Sequence, residues 1–296
     1  MINTVKEYLE QLKIELAACD PATIQDALSD AEEHLVTAIE SMLKESPKVL
    51  EEDVISTVIE KYGSPVEIAA AYKEIEATMI LPLVALKTRK QKSFPGNFFG
   101  VFADPQAWGA LLYMIIALIT GIIYFTWAVM GISTTASLLI LLIGPPFAIL
   151  FLLSVRGIAF LEGRLVEAML GVRMPRRPRF FGKKAGWWGK VKYLLLDRST
   201  WTAIIYMLIQ LPLGILYFTF FLVLILISIQ GIFIPITLWL FEFPVIIMNN
   251  IEFYAPIWLL PVMVIGGFLL LTLTMHLARL IGIGHGKYAK AMLIKD

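Results

Sequence analysis

Charge is scarce in this chain of 296 residues, at 17% Asp, Glu, Lys and Arg, against about 25% in soluble globular proteins. Cysteine is scarcer still. Cys19 stands alone, which excludes an intrachain disulfide and any multi-cysteine metal centre. The three histidines, His34, His276 and His285, are scattered and lack carboxylates at helical spacing, so no metal site is expected. The N-terminus, MINTVKEYLEQLKIEL, has no apolar core. That excludes a cleavable secretory leader and predicts that this part stays in the cytoplasm. No nucleophile–base pair stands out, and the expectation is a protein without catalytic activity or cofactor.

What is present is apolar: 58% of residues are hydrophobic. Four stretches, near 108–130, 136–157, 201–228 and 256–280, are long enough to cross a bilayer, which takes about 20 residues. Proline and glycine interrupt them, which membrane helices tolerate. Within them stand Gln210, Thr120, Thr126 and a few further hydroxyl residues, with no acid or lysine. Ion-coupled transport usually requires such groups, so a pump or secondary transporter is not expected. Residues 156–198 carry 11 Lys/Arg, and the outer connections near 131–135 and 229–255 carry none. The positive-inside rule then places both termini in the cytoplasm of a multi-pass plasma-membrane or inner-membrane protein.

The chain repeats itself. DPQAWGALLYMIIALITGIIYFT (Asp104–Thr126) and DRSTWTAIIYMLIQLPLGILYFT (Asp197–Thr219) agree at 12 of 23 positions with a constant offset of 93. GRLVEAML (Gly163–Leu170) and GKYAKAML (Gly286–Leu293) match at an offset of 123, which also pairs Arg156 with Arg279 as an inner-face couple. Repeat units 104–171 and 197–294 follow, each a Trp-led span, an outer connection, a second span and a short amphipathic helix. The expected fold is all-α: four transmembrane helices as two tandem parallel-repeat hairpins about an axis along the membrane normal.

Residues 1–78 differ in kind. They hold 17 of the 24 acids and 6 of the 25 bases, a charge of −11, while the remainder is +12. Apolar residues recur every three to four positions, predicting a soluble domain with helices near 3–17, 21–45, 50–62 and 64–77. Asp20-Pro21 supplies a start signal, Gly63 a stop, and Ser64-Pro65-Val66-Glu67 a capping box. Residues 79–103 read as an interfacial linker, and 104–296 as the membrane domain.

Three segments invite a function. Val172–Lys192 interleaves Arg173, Arg176, Arg177, Arg179, Lys183 and Lys184 with Phe180, Phe181, Trp187 and Trp188. Its place between two spans favours an anionic inner leaflet, or docking of the acidic domain, over direct nucleic-acid binding. Gly231–Pro256, an apolar outer segment with Trp239, Glu242, Glu252 and Tyr254, reads as a lid over a ligand or lipid site, or as an interfacial helix. GIGHGKY (Gly282–Tyr288) lacks the spacing of a phosphate loop and reads as a flexible exit from the fourth span.

YLEQLKIELAACDPATIQDALSDAEEHL and DVISTVIEKYGSPVEIAAAY resemble the HAAS domain, a helical module of bacterial and archaeal membrane proteins often found beside PadR-type transcription regulators. FLEGRLVEAMLGVRMPRRPR followed by the second repeat resembles the "putative sensor" domain that precedes many actinobacterial histidine kinases. The chain as given has no phosphoacceptor or ATP-binding region. The resemblance implies signal transduction, with a cytoplasmic partner such as a PadR-like regulator. An accessory or scaffold subunit of a transporter, a lipid-binding membrane protein and a homodimer remain open at this stage.

Overall fold

The computed structural model describes residues 4–45, 51–87, 98–140, 144–176, 195–241, 244, 246–248, 251–253 and 256–294. Helices α1 (Val5–Glu15), α2 (Pro21–Glu45), α3 (Glu51–Tyr62) and α4 (Pro65–Lys87) form the first part. Their ends follow the sequence signals. The Asp20 carboxylate accepts from Ala22 N at 2.8 Å and caps α2. Gly63 takes a left-handed φ of 107°, which a side chain resists, and ends α3. Ser64 and Glu67 then exchange hydrogen bonds of 2.9 and 3.3 Å as a capping box. Tyr8, Leu12, Leu35, Val58 and Ala69 meet in one buried core, and the Tyr8 hydroxyl donates to Gly63 O at 2.8 Å. The helix α4 runs past the expected boundary and takes in the Met79–Leu86 run assigned to the linker. Its alanine, leucine and methionine residues favour helix, and the helix continues through the run although Pro82 opposes it.

After a 3-10 turn (Phe99–Ala103) come four apolar helices: α5 (Pro105–Ile140), α6 (Gly144–Leu170), α7 (Arg198–Phe241) and α8 (Leu259–Leu293). All four are long and apolar enough to cross a membrane. Each runs past the C-terminal end of its expected span. Helices α6 and α8 begin later than expected, and the outer connection expected at 131–135 is helical and belongs to α5. The separate amphipathic helices predicted at GRLVEAML and GKYAKAML are continuations of α6 and α8, and GIGHGKY is helical rather than a flexible exit. The first half of the outer segment extends α7, with Pro235 inside it. Beyond it, β1 (Ile246–Met248) and β2 (Ile251–Phe253) pair antiparallel with Ile247 opposite Glu252. At 1.5 Å per residue α7 is about 66 Å long, twice the roughly 30 Å of a hydrocarbon core.

The packing directions can be read from named pairs. Asp104 meets Arg279, Ala110 meets Gly282 and Tyr113 meets His285, so α5 and α8 run the same way. Arg156 meets Asp197 and Glu162 meets Tyr206, so α6 and α7 also run the same way. Where α5 crosses α7 the numbers run oppositely. Gly121 lies on Gln210 and Leu211, while Gly214 lies on Ala117 and Leu118. Hairpins laid side by side the same way up would set α5 along α7 and against α8. The observed directions are the reverse, with α5 running along α8 and against α7, and this departs from the side-by-side packing expected.

Candidate functional site

Four helices meet around a polar cluster that the sequence reading missed. No acid was placed within the apolar stretches, yet Glu162 on α6 is 1% exposed and His285 on α8 is 3% exposed. Glu162 Oε1 accepts from the Tyr113 hydroxyl at 2.6 Å and from Tyr206 at 2.8 Å, and Oε2 accepts from Tyr124 at 2.8 Å. With three phenols donating, Glu162 is read as an acceptor-only carboxylate. The Tyr113 proton is then committed, so its oxygen accepts from His285 Nε2 at 2.7 Å and Gln210 Nε2 at 3.3 Å. This network assigns a proton to Nε2. His285 Nδ1 faces the Tyr217 hydroxyl at 3.3 Å. A buried charge is costly unless it is paired and hydrogen-bonded, and Tyr113, Tyr124 and Tyr206 provide those bonds.

Apart from Gln210, which matches Ala117, the parts of this cluster have counterparts at the sequence offsets. Tyr113 and Tyr206 differ by 93, as do Tyr124 and Tyr217, and Glu162 and His285 differ by 123. The ends of the helices follow suit. Arg156 donates to Asp197 at 2.6 Å, and Arg279 pairs with Asp104 at 3.2 Å. Arg156 and Arg279 therefore each hold the first residue of the other hairpin and do not act as a mutual pair. Trp108 Nε1 donates to Phe102 O at 2.9 Å, and Trp201 Nε1 to Leu195 O at 2.8 Å. The signal for Glu162 was in the sequence: it directly precedes the GRLVEAML match, and His285 directly precedes GKYAKAML.

The helical domain packs against α8 and the segment that follows α6. Lys290, one and a half turns beyond His285 on α8, donates to both Asp20 oxygens at 2.7 and 2.5 Å. Arg176 N donates to Asp26 Oδ1 at 2.7 Å. Ala22 is buried in one apolar cluster with Met174 and Ala289. Beside this junction, burial pushes the Cys19 thiol up, Glu76 adds to that, and Lys73 and Arg173 oppose it.

Of the basic set, Arg173 and Arg176 are described, and Arg177, Arg179, Lys183 and Lys184 lie outside the described residues. Arg176 reaches the acidic domain through its backbone, and its guanidinium turns to Glu167 at 3.5 Å. Lys290 was not singled out in the sequence. In the outer segment Trp239 is exposed near the end of α7 and Glu252 lies in β2, while Glu242 and Tyr254 fall outside the described residues. His276 meets Phe98 O at 2.9 Å and stacks on the Phe98 ring.

Four helices of this length and apolarity, joined to a helical domain with its own core, have the make-up of a multi-pass membrane protein. The chain belongs to the family described as Putative sensor, which it matches over residues 113–293, and residues 7–71 form a HAAS domain. The sensor match spans Tyr113, Glu162, Tyr206 and His285 together. No curated protein and no solved structure matches the chain.

Proposed function

We propose that this chain is a non-catalytic membrane signalling protein, in which the crossing of two hairpins is read out by the HAAS domain. The observation that carries the reading is the placement of His285 and Lys290 on one continuous helix. His285 belongs to the tyrosine cluster and Lys290 holds Asp20 of the domain. A change in the hairpin crossing alters the pitch of α8 and therefore the seat of the domain. The outer segment or the bilayer supplies the stimulus, and a cytoplasmic protein, such as a PadR-like regulator, receives the released domain.

A duplicated hairpin inserted twice the same way up, with both termini in the cytoplasm, is supported by the loop charges. Residues 156–198 are basic and the outer connections carry no Lys or Arg. The running directions of α5, α7 and α8 stand against it. Arg156 pairs with Asp197 and Arg279 with Asp104, while the stretches 125–155 and 199–241 carry no charge. These uncharged stretches belong in the hydrocarbon slab, with the two ion pairs toward its inner edge. Helices related by an axis along the normal then lean by more than about 45° where they cross, beyond the usual range of roughly 0–40°. The excess helix length leaves room for crossing segments beneath the slab.

The test uses Cys19, the sole cysteine, beside the Asp20–Lys290 contact. In the full chain in bilayer discs, Lys290→Ala is expected to speed maleimide labelling of Cys19 about tenfold, the factor that about 1.4 kcal/mol supplies. An unchanged rate contradicts a docked domain, and a stoichiometric ATPase or permease co-purifying from detergent contradicts signalling.

A further inference from the structure

A cavity of about 310 Å³ lies where the HAAS domain meets the apolar helices, and neither Glu162 nor His285 lines it. Its volume is at the lower end of ligand sites, which run from about 300 to 1,000 Å³. The inner walls are apolar, with Met174, Ala203 and Leu293 among them, and Gln25 of α2 closes one side. Gln25 Oε1 is buried with no hydrogen-bond partner among the described residues. It offers an acceptor to a hydroxyl.

The mouth opens sideways. Leu153, Gly157 and Phe160 are exposed lining residues four and three positions apart, on the face of α6 that a bilayer would cover. A Cβ on Gly157 would meet nothing within 4 Å, so α6 carries a notch there. One arginine lines the cavity and two adjoin lining residues. Arg156 lines the cavity while held by Asp197 at 2.6 Å, the Arg164 guanidinium lies 5.1 Å over the Phe160 ring, and exposed Arg198 adjoins the lining Ser199. Against these three arginines stand Asp197 and Glu167, leaving a net positive rim.

We infer that this cavity binds one acyl chain of an anionic glycerophospholipid from the leaflet at the C-terminal end of α6. The chain enters over Gly157 between Leu153 and Phe160, the phosphodiester lies against the arginine rim, and a headgroup hydroxyl reaches Gln25. The volume admits part of one chain. The lipid touches both α2 and α6, so its binding would bear on the seat of the HAAS domain. The site itself rests on the membrane orientation inferred above and not on the signalling reading.

The experiment places the full chain in bilayer discs containing trace phosphatidylglycerol with a diazirine near the end of one acyl chain, and maps cross-links by peptide mass spectrometry. Cross-links are expected to concentrate on residues 153–163 and 199–203, and excess unlabelled phosphatidylglycerol should compete them away. Gly157→Phe, filling the notch, should cut labelling several-fold. Gly284→Phe should leave it unchanged, because that glycine is equally open and lies away from the cavity. Labelling spread evenly over all four apolar helices, or undiminished by competitor, overturns the site. Equal labelling from a phosphatidylcholine probe overturns its anionic preference. A chain that labels at the cavity while Lys290→Ala leaves Cys19 unaffected keeps this site and loses the signalling reading.

Discussion

The hydroxyls of Tyr113 and Tyr206 stand 3.4 Å apart, and both donate to the same Glu162 oxygen. These two residues occupy the same place in the two copies of one 23-residue segment, offset by 93. A residue that meets its own counterpart lies on the axis relating the copies. On this arrangement Glu162 and His285 flank that axis, so equivalent positions hold opposite chemistry: an acceptor on one side and a donor on the other.

The two terminal ion pairs are equivalent in sequence and unequal in environment. Side chains of Arg156 and Asp197 are 17% and 1% exposed, while those of Arg279 and Asp104 are 46% and 22% exposed. Truncating one partner of a buried pair costs about 3–5 kcal/mol, whereas a solvent-exposed pair is worth about 0–1 kcal/mol. Thermal unfolding in a single detergent is expected to show a large drop for Asp197→Ala and a small one for Asp104→Ala. Equal shifts would mean that burial does not set their worth.

The crossing of α5 and α7 depends on two glycines. A Cβ on Gly121 would stand 2.7 Å from Gln210 O, and Gly214 is closed off in the same way by Ala117 O. The obstacle in each case is backbone, which cannot rotate aside. Gly121→Leu and Gly214→Leu should each destabilise the chain by at least the roughly 1–3 kcal/mol of an overpacked core. Gly266→Leu serves as the control, since nothing lies within 4 Å of its Cβ position. A control as damaging as the two crossing variants would refute the close approach.

Glu67 gives the HAAS domain an acid-sensitive corner. Its carboxylate accepts from Ser64 N, and this bond lowers its pKa below the usual value. A depressed folded-state pKa contributes stability that is complete above the unfolded value, about 4.3. That contribution disappears as the pH falls through the folded value. Amide exchange in the first turn of α4 should therefore rise as the pH is lowered below that unfolded value. Glu67→Gln, which keeps the shape of the box, should flatten that response. An identical pH profile for the variant would remove Glu67 as the cause.

Much of this architecture was legible in the sequence. Asp20-Pro21, Gly63 and Ser64–Glu67 mark the helix ends of the first domain, because capping chemistry is local. Long apolar runs revealed the membrane helices, since hydropathy needs no tertiary context. Their ends were harder to place. The stretches GRLVEAML and GKYAKAML are amphipathic beside an apolar run, and periodicity cannot say whether a helix breaks between the two. Stopping the second span near Gly157 placed Glu162 outside it, where a carboxylate is unremarkable. Its burial comes from Tyr113, Tyr124 and Tyr206 on two other helices, a convergence that no single segment encodes. The role of Lys290 was hidden for the same reason, as its partner Asp20 lies 270 positions away.

The most direct test of the account exchanges the two flanking residues. In bilayer discs, Glu162→His alone and His285→Glu alone should each break the donor–acceptor match, unseat α8 and speed Cys19 labelling. The double exchange, Glu162→His with His285→Glu, restores one acceptor and one donor across the tyrosine pair, and should return labelling close to that of the parent chain. If the double variant labels as fast as the single ones, or if the single variants leave Cys19 as protected as before, the two-sided cluster does not govern the seat of the HAAS domain.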